Sequence, residues 1–271
     1  ANATNIRAEY LNHIAKIFEL TGENTEKSRS NAALILKLET DLAKNSRKLE
    51  DVRDPIKNYN KMTLAQLNAL TSNINWNTMF TNLKIKDADT IIVGQPEFYK
   101  GLNASLKNYS VEDWKIYLKW DLFNSYAGNL NTAIEKQNFY FYATVMNGIK
   151  AQKPRWKNIV SQTDGALGEL IGQVYIEEYL PKGSKEKLLE IGNNIRDVYA
   201  ERIKKLDWMS EPTKVKALNK LSKIVMKVGY PDKWKDMSSV AIDSKTYLKN
   251  VMAVNQWQYN QMTDKFGKPV D

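Results

Sequence analysis

Hydrolytic chemistry needs a few well-known arrangements of side chains, and this chain holds almost none of their parts. It has one histidine, His13, and no cysteine. A helical zinc site of the His-Glu-x-x-His kind grips the ion with two imidazoles one turn apart while the glutamate activates the bound water. His13 stands in Asn12-His13-Ile14-Ala15, with no glutamate after it and no second imidazole to pair with. Carboxylates alone are a poor substitute, because zinc prefers nitrogen and sulfur donors. A Ser-His-Asp triad would have only His13 as its base, no Gly-x-Ser-x-Gly turn is present, and no thiol exists to act as nucleophile. Neither glycine-rich phosphate loop occurs. The residue pattern therefore predicts no catalytic group, no cofactor site and no metal ligand here, with His13 a helix residue at a surface or packing position.

Three weaker patterns remain. Glu177 and Glu178 are adjacent, so on a helix they point about a quarter-turn apart and do not face one substrate; they read as a solvated helix edge. Gly165, Gly168 and Gly172 recur at three-four spacing beside Leu167 and Val174, a small ridge that would let another backbone approach closely. The charges at Glu169, Glu177 and Glu178 exclude a membrane reading of that ridge. Trp156, Trp208 and Trp234 read as core anchors or as lids over apolar grooves.

The elements that would position these residues are helical. Leu188, Ile191, Ile195, Val198 and Leu206 lay one apolar stripe along a long helix, with Ser184 placed to cap it. Leu34, Leu38 and Leu42 mark a second helix over about 25–46; Leu167, Leu170 and Val174 a third; Tyr247, Val251 and Val254 a fourth. Thr63 to Gln66 and Ser110 to Asp113 are capping boxes. The run Trp114 to Tyr126 is apolar on most faces and is expected to sit centrally. Polar turn material fills Asn129 to Asn138, and helical signal returns through Phe139, Tyr140 and Val145. Only Thr90-Ile91-Ile92-Val93 looks like a strand, too short and isolated to found a sheet. Connections fall at 52–61, 71–77, 152–154, 181–183 and 228–243, and the break-type sequence Gly267-Lys268-Pro269-Val270-Asp271 reads as a boundary. The fold class predicted is all-α, one compact multi-helix domain over 1–271 with at most minor strand content.

Composition agrees with a folded body: 42% of the residues are hydrophobic and 26% charged, with 7 Trp and 14 Tyr, which is far from the range of disordered chains. No apolar run approaches the roughly 18 residues of a membrane span, and no signal-peptide pattern opens the chain. The net charge of +9 could suit nucleic acid or phospholipid, but the lysines are interleaved with acids, as in Lys182-Gly183-Ser184-Lys185-Glu186-Lys187. A solvated basic surface is the reading that follows, with no nucleic-acid partner and no membrane contact.

One further pattern is a run of short anchors in fixed order. Arg53-Asp54-Pro55 leads to Tyr59-Asn60-Lys61-Met62-Thr63-Leu64; then come Pro96-Glu97, Trp114 to Tyr126, Lys153-Pro154-Arg155-Trp156, Ala166-Leu167-Gly168, Val174-Tyr175, Ile195-Arg196, Leu206-Asp207-Trp208-Met209 with Thr213, and Gly229-Tyr230-Pro231-Asp232. In order and spacing these resemble the N-terminal, non-catalytic region of the neprilysin and endothelin-converting-enzyme family of zinc metallopeptidases. Nearly the whole chain is covered. The resemblance implies two helical lobes around a central cavity, with the zinc site in a C-terminal lobe and this region acting as a cover that limits substrates to peptides. It implies zinc in the parent protein but none in this chain, because the residues that hold it come after the matched region. The partners implied are the catalytic lobe of the same polypeptide and peptide substrates. Absence of cysteine departs from the disulfide-bonded animal members and fits a bacterial, extracytoplasmic one: periplasmic, cell-surface or secreted. The match also implies an internal piece of a longer protein, with Ala1-Asn2-Ala3 open to being foreign to it. The alternative is an autonomous helical protein-binding scaffold diverged from the family, which predicts a well-covered surface, whereas a lobe predicts an exposed apolar face.

Overall fold

In a computed structural model the described residues are 3–269, so Ala1, Asn2, Val270 and Asp271, the ends of both expected boundary stretches, lie outside them. The all-α expectation holds: helices dominate, and among the described residues the only sheet is a two-stranded ribbon. The chain divides into two compact units. One comprises 1–153 with 241–271, the other 154–240.

The first unit begins with α1 (Ala3–Leu20) and α2 (Thr25–Lys44). Gly22, at φ 98°, makes the turn between them, and the Asn24 side chain caps α2 by accepting from the Lys27 amide at 2.9 Å. Ile14, Ile17 and Phe18 on α1 and Ile35 on α2 are fully buried at helical spacing. Burial of each stabilises by roughly 1.5–3 kcal/mol. After α3 (Leu49–Val52), β1 (Asn60–Thr63) runs into α4 (Leu64–Leu70) through the Thr63–Gln66 capping box, and α5 (Trp76–Asn82) follows. Then β2 (Thr90–Val93) pairs antiparallel with β1 in the register Asn60 to Val93 and Thr63 to Thr90, so this segment is not isolated as the sequence suggests. A small second core of Leu67, Trp76 and Val93 lies under the ribbon, with the Trp76 indole donating to Thr71 Oγ1 at 2.6 Å.

Arg47 fastens this region. Its guanidinium forks onto Glu97 and donates to the carbonyls of Lys57 at 2.8 Å and Gly94 at 3.0 Å, joining the two strand ends to the start of α6 (Pro96–Asn108). The next helix, α7 (Val111–Tyr126), opens on the Ser110–Asp113 capping box. Its central placement is only half right. Trp120 is buried against α1, but Leu118 and Leu122 stand 61% and 54% exposed, because one face packs and no described element covers the other. The polar stretch 129–138 turns out to be mostly helix: Asn131 caps α8 (Thr132–Phe139), which widens into a π-helical turn, Tyr140–Val145.

The second unit holds α9 (Arg155–Tyr179), α10 (Ser184–Lys204) and α11 (Glu211–Ser222). Leu167 leaves helical geometry at φ −123°, ψ 23°, kinking α9 between Gly165 and Gly168, where absent side chains weaken the turn. Ser184 is not the cap of α10. Gly183 holds that position at φ 82°, which suits glycine, and the Ser184 hydroxyl turns back to the Pro181 carbonyl at 2.7 Å. The chain then returns to the first unit as α12 (Tyr247–Thr263), whose Tyr259 hydroxyl donates to the Leu83 carbonyl at 2.5 Å.

Candidate functional site

His13 faces inward from α1 and is 1% exposed. Its ring stacks on Phe141 at 4.9 Å and 11°, with Trp120 and Tyr142 edge-on at 5.5 Å. The Gln137 amide nitrogen lies 3.3 Å from Nδ1 and can donate only if Nδ1 is bare. Donation from Gln137 goes with the proton on Nε2. Burial pushes the pKa down to about 4, so the ring is neutral near pH 7. An imidazole walled in by three aromatic rings does not fit zinc, and among the described residues no group of three or more His, Cys, Asp or Glu could hold an ion. Of the two roles the sequence left open for His13, packing is the one it fills.

The other singled-out residues all lie in the second unit. Glu177 and Glu178 are both exposed on the edge of α9. The glycine ridge receives a side chain and not a backbone: a Cβ at Gly172 would meet the Trp234 ring at 3.7 Å, and one at Gly165 would meet nothing. Trp234, half-buried, stacks on Tyr230 at 6.2 Å and 7°, so it is a lid. Trp156 and Trp208 are not core anchors; they are 64% and 74% exposed. Sequence reading missed the group that positions this lid. Lys185, its side chain 15% exposed, donates to the Tyr230 carbonyl at 2.9 Å, pairs with Asp232 and lies over the Tyr230 ring at 4.6 Å. Gly229, at φ 68°, faces the Lys185 stem, which a Cβ added there would meet at 3.7 Å. A glycine before Tyr-Pro-Asp was the available signal, but its lysine partner is more than forty positions away.

What the second unit presents is apolar surface. The stripe Leu188, Ile191, Ile195 and Val198, which should lie against a core, is 42–54% exposed. Val174, Tyr175 and Tyr179 on α9 are 57–68% exposed, and within 154–240 only Met237 is buried. The described surface totals 19321 Å² for a chain of 31.2 kDa. A closed monomer of that mass exposes about 12,000 Å², and two separate closed bodies of these sizes about 14,000 Å². The excess over two closed bodies is on the order of 5,000 Å².

A family model described as Peptidase family M13 matches residues 1–231. The chain belongs to that family. As the motifs suggested, the match is to the family's N-terminal region. An endothelin-converting enzyme homolog from Locusta migratoria is 28% identical over 98% of this chain and 39% of its own length. Neprilysin-2 of Drosophila melanogaster is 26% identical over 97% of this chain and 37% of its own. The crystal structure of zinc metalloprotease Zmp1 of Mycobacterium tuberculosis in complex with an inhibitor has a TM-score of 0.89 at 31% identity, covering 99% of this chain and 41% of that one. The chain thus spans about two-fifths of the length of these relatives. The densest of the family-like anchors runs from Lys153 to Pro231, and all of it after Lys153 falls in the unit with the uncovered helices.

Proposed function

We propose that this chain is the non-catalytic lobe of a zinc endopeptidase, a wall of a substrate chamber that admits peptides and excludes folded proteins. The observation that carries the reading is the excess of apolar surface on α9 and α10 in a family whose relatives are more than twice as long. A stripe such as Leu188 to Val198 is soluble only at a cost, and large exposed apolar patches mark surfaces that are covered in use. The covering body is the catalytic lobe of the same polypeptide. It supplies the zinc, since neither His13 nor any cluster here fits that ion. An autonomous scaffold would bury these stripes within itself. The same family likeness supports a parent that works outside the cytoplasm, and within the described residues no helix is long and apolar enough to cross a membrane.

The test is a comparison of the 271-residue chain with the full-length parent. The chain alone should carry no stoichiometric zinc and hydrolyse nothing; the parent should cleave short peptides and spare folded proteins of the same sequence composition. Turnover and bound zinc in the purified chain would refute the lobe reading, and cleavage of folded proteins by the parent would refute the size-limiting chamber.

A further inference from the structure

Between α11 and Gly229 the backbone of Ile224 to Val228 is neither helix, turn nor bend. Met226 packs its thioether into the notch at Gly192 of α10, and three residues later Gly229 packs on Lys185 of the same helix. Seven helical residues separate those two contact points, about 10.5 Å at 1.5 Å per residue. Three residues span that distance only at about 3.5 Å each, the reach of a nearly fully extended chain. The segment is therefore extended and runs antiparallel to α10. It is held at both ends: the Ile224 amide donates to the Leu221 carbonyl at 3.2 Å, and Tyr230 and Asp232 are fixed by Lys185.

Among the described residues, no N–H or C=O of Val225, Met226, Lys227 or Val228 has a hydrogen-bond partner. Ile, Val, Met and Val are residues that suit a pleated surface, and Ile224 and Val225 stand 50% and 77% exposed. A straight, apolar, pre-ordered edge with free backbone groups is a template for strand addition. We propose that Ile224–Val228 is an open β-edge to which an extended strand from the remaining part of the parent polypeptide adds. This rests on the lobe reading above, and the occupant follows from the same two facts: the relatives carry more than half their length outside the matched region, and this segment lies in the unit whose faces are uncovered. Lys220, Lys223 and Lys227 are exposed and, among the described residues, take part in no salt bridge, so an incoming strand bearing carboxylates meets complementary charge.

Hydrogen exchange at single-residue resolution tests it, on the 271-residue chain and on the full-length parent. In a strand pair alternate amides face the partner. In the parent, either the Val225 and Lys227 amides or the Met226 and Val228 amides should exchange at least about a hundredfold more slowly than in the chain alone. Footprinting of Tyr175 and Tyr199 runs alongside. If those rings become shielded in the parent while all four amides stay fast, strand addition is wrong and the lobe reading stands. If neither changes, the lobe reading fails with it. Protection that arises in the chain alone with rising concentration, or on adding a free extended peptide, assigns the edge to a second copy or a substrate and overturns the proposal.

Discussion

Acidification should loosen the first unit through one side chain. His13 titrates near 6.5 when unfolded and near 4 when buried among Phe141, Trp120 and Tyr142. Between those values the unfolded chain binds the extra proton, so stability is complete above pH 6.5 and falls as pH drops, reaching its full loss by about pH 4. At 1.36 kcal/mol per pH unit of difference the loss is roughly 3 kcal/mol, a large part of the 5–15 kcal/mol that holds an ordinary domain. Other groups act in or near the window. Burial raises the pKa of Glu39, hydrogen-bonded to Tyr10 at 3.0 Å, which opposes the trend; Asp41, held down to about 2 by Lys44, contributes only below the window. Substituting His13→Phe isolates the effect, since it keeps the ring stack and removes the proton site. At pH 7 the variant should match the unsubstituted chain within about 1–2 kcal/mol, because what is lost is polar contact with Gln137 at 3.3 Å and with Asn124. Urea unfolding at pH 7.0, 5.5 and 4.5 should then show a fall in the first unit's midpoint that is reduced by about 3 kcal/mol in the variant. As the chain has one histidine, its imidazole resonances need no assignment and report the pKa directly. An imidazole titrating near 6.5 in the folded chain, or equal pH sensitivity in chain and variant, would refute the reasoning.

Three further outcomes are expected. Gly101→Ala drives a methyl on α6 into the side chain of Asn45, the residue that ends α2, a clash that should cost about 1–3 kcal/mol in thermal or urea unfolding; an unchanged midpoint would show that the Asn45 side chain moves aside freely. Arg47→Ala strips the Glu97 carboxylate and two carbonyls of their donor, so amides at 60–63 and 90–93 should exchange markedly faster while those of α1 do not, and Arg47→Lys should rescue little because an ammonium cannot fork. Ile195→Asp lies on the uncovered stripe at 54% exposure, so unfolding of the isolated chain should shift by no more than about 0.5 kcal/mol, whereas the full-length parent should lose activity or solubility; equal indifference in both would remove Ile195 from any interface.

Much of the local structure was legible because it is local. Both capping boxes form as read, since Thr63 with Gln66 and Ser110 with Asp113 need only each other. The stripes on α2 and α10 are where periodicity puts them. Periodicity states that a face is apolar and leaves open what covers it. Hence Leu38 is fully buried while Ile195, with the same pattern, lies in solvent, and Trp156 and Trp208 are exposed rather than anchoring a core. Contacts between distant positions were equally hidden: β1 finds β2 about thirty residues away, and Lys185 finds Gly229 to Asp232 across α10 and α11.

The second unit is an insertion, entering at Pro154 and leaving at Val240, so that α12 belongs to a body whose other helices lie before residue 154. At the 5–20 residues per second of synthesis, those 87 residues keep α12 away for roughly 4–17 s. During that interval Leu83 has no Tyr259 and the first unit waits with an unsealed edge. Any chaperone or protease that meets the nascent chain meets it there, which makes the order of synthesis, as well as the final fold, a determinant of how much of this protein survives.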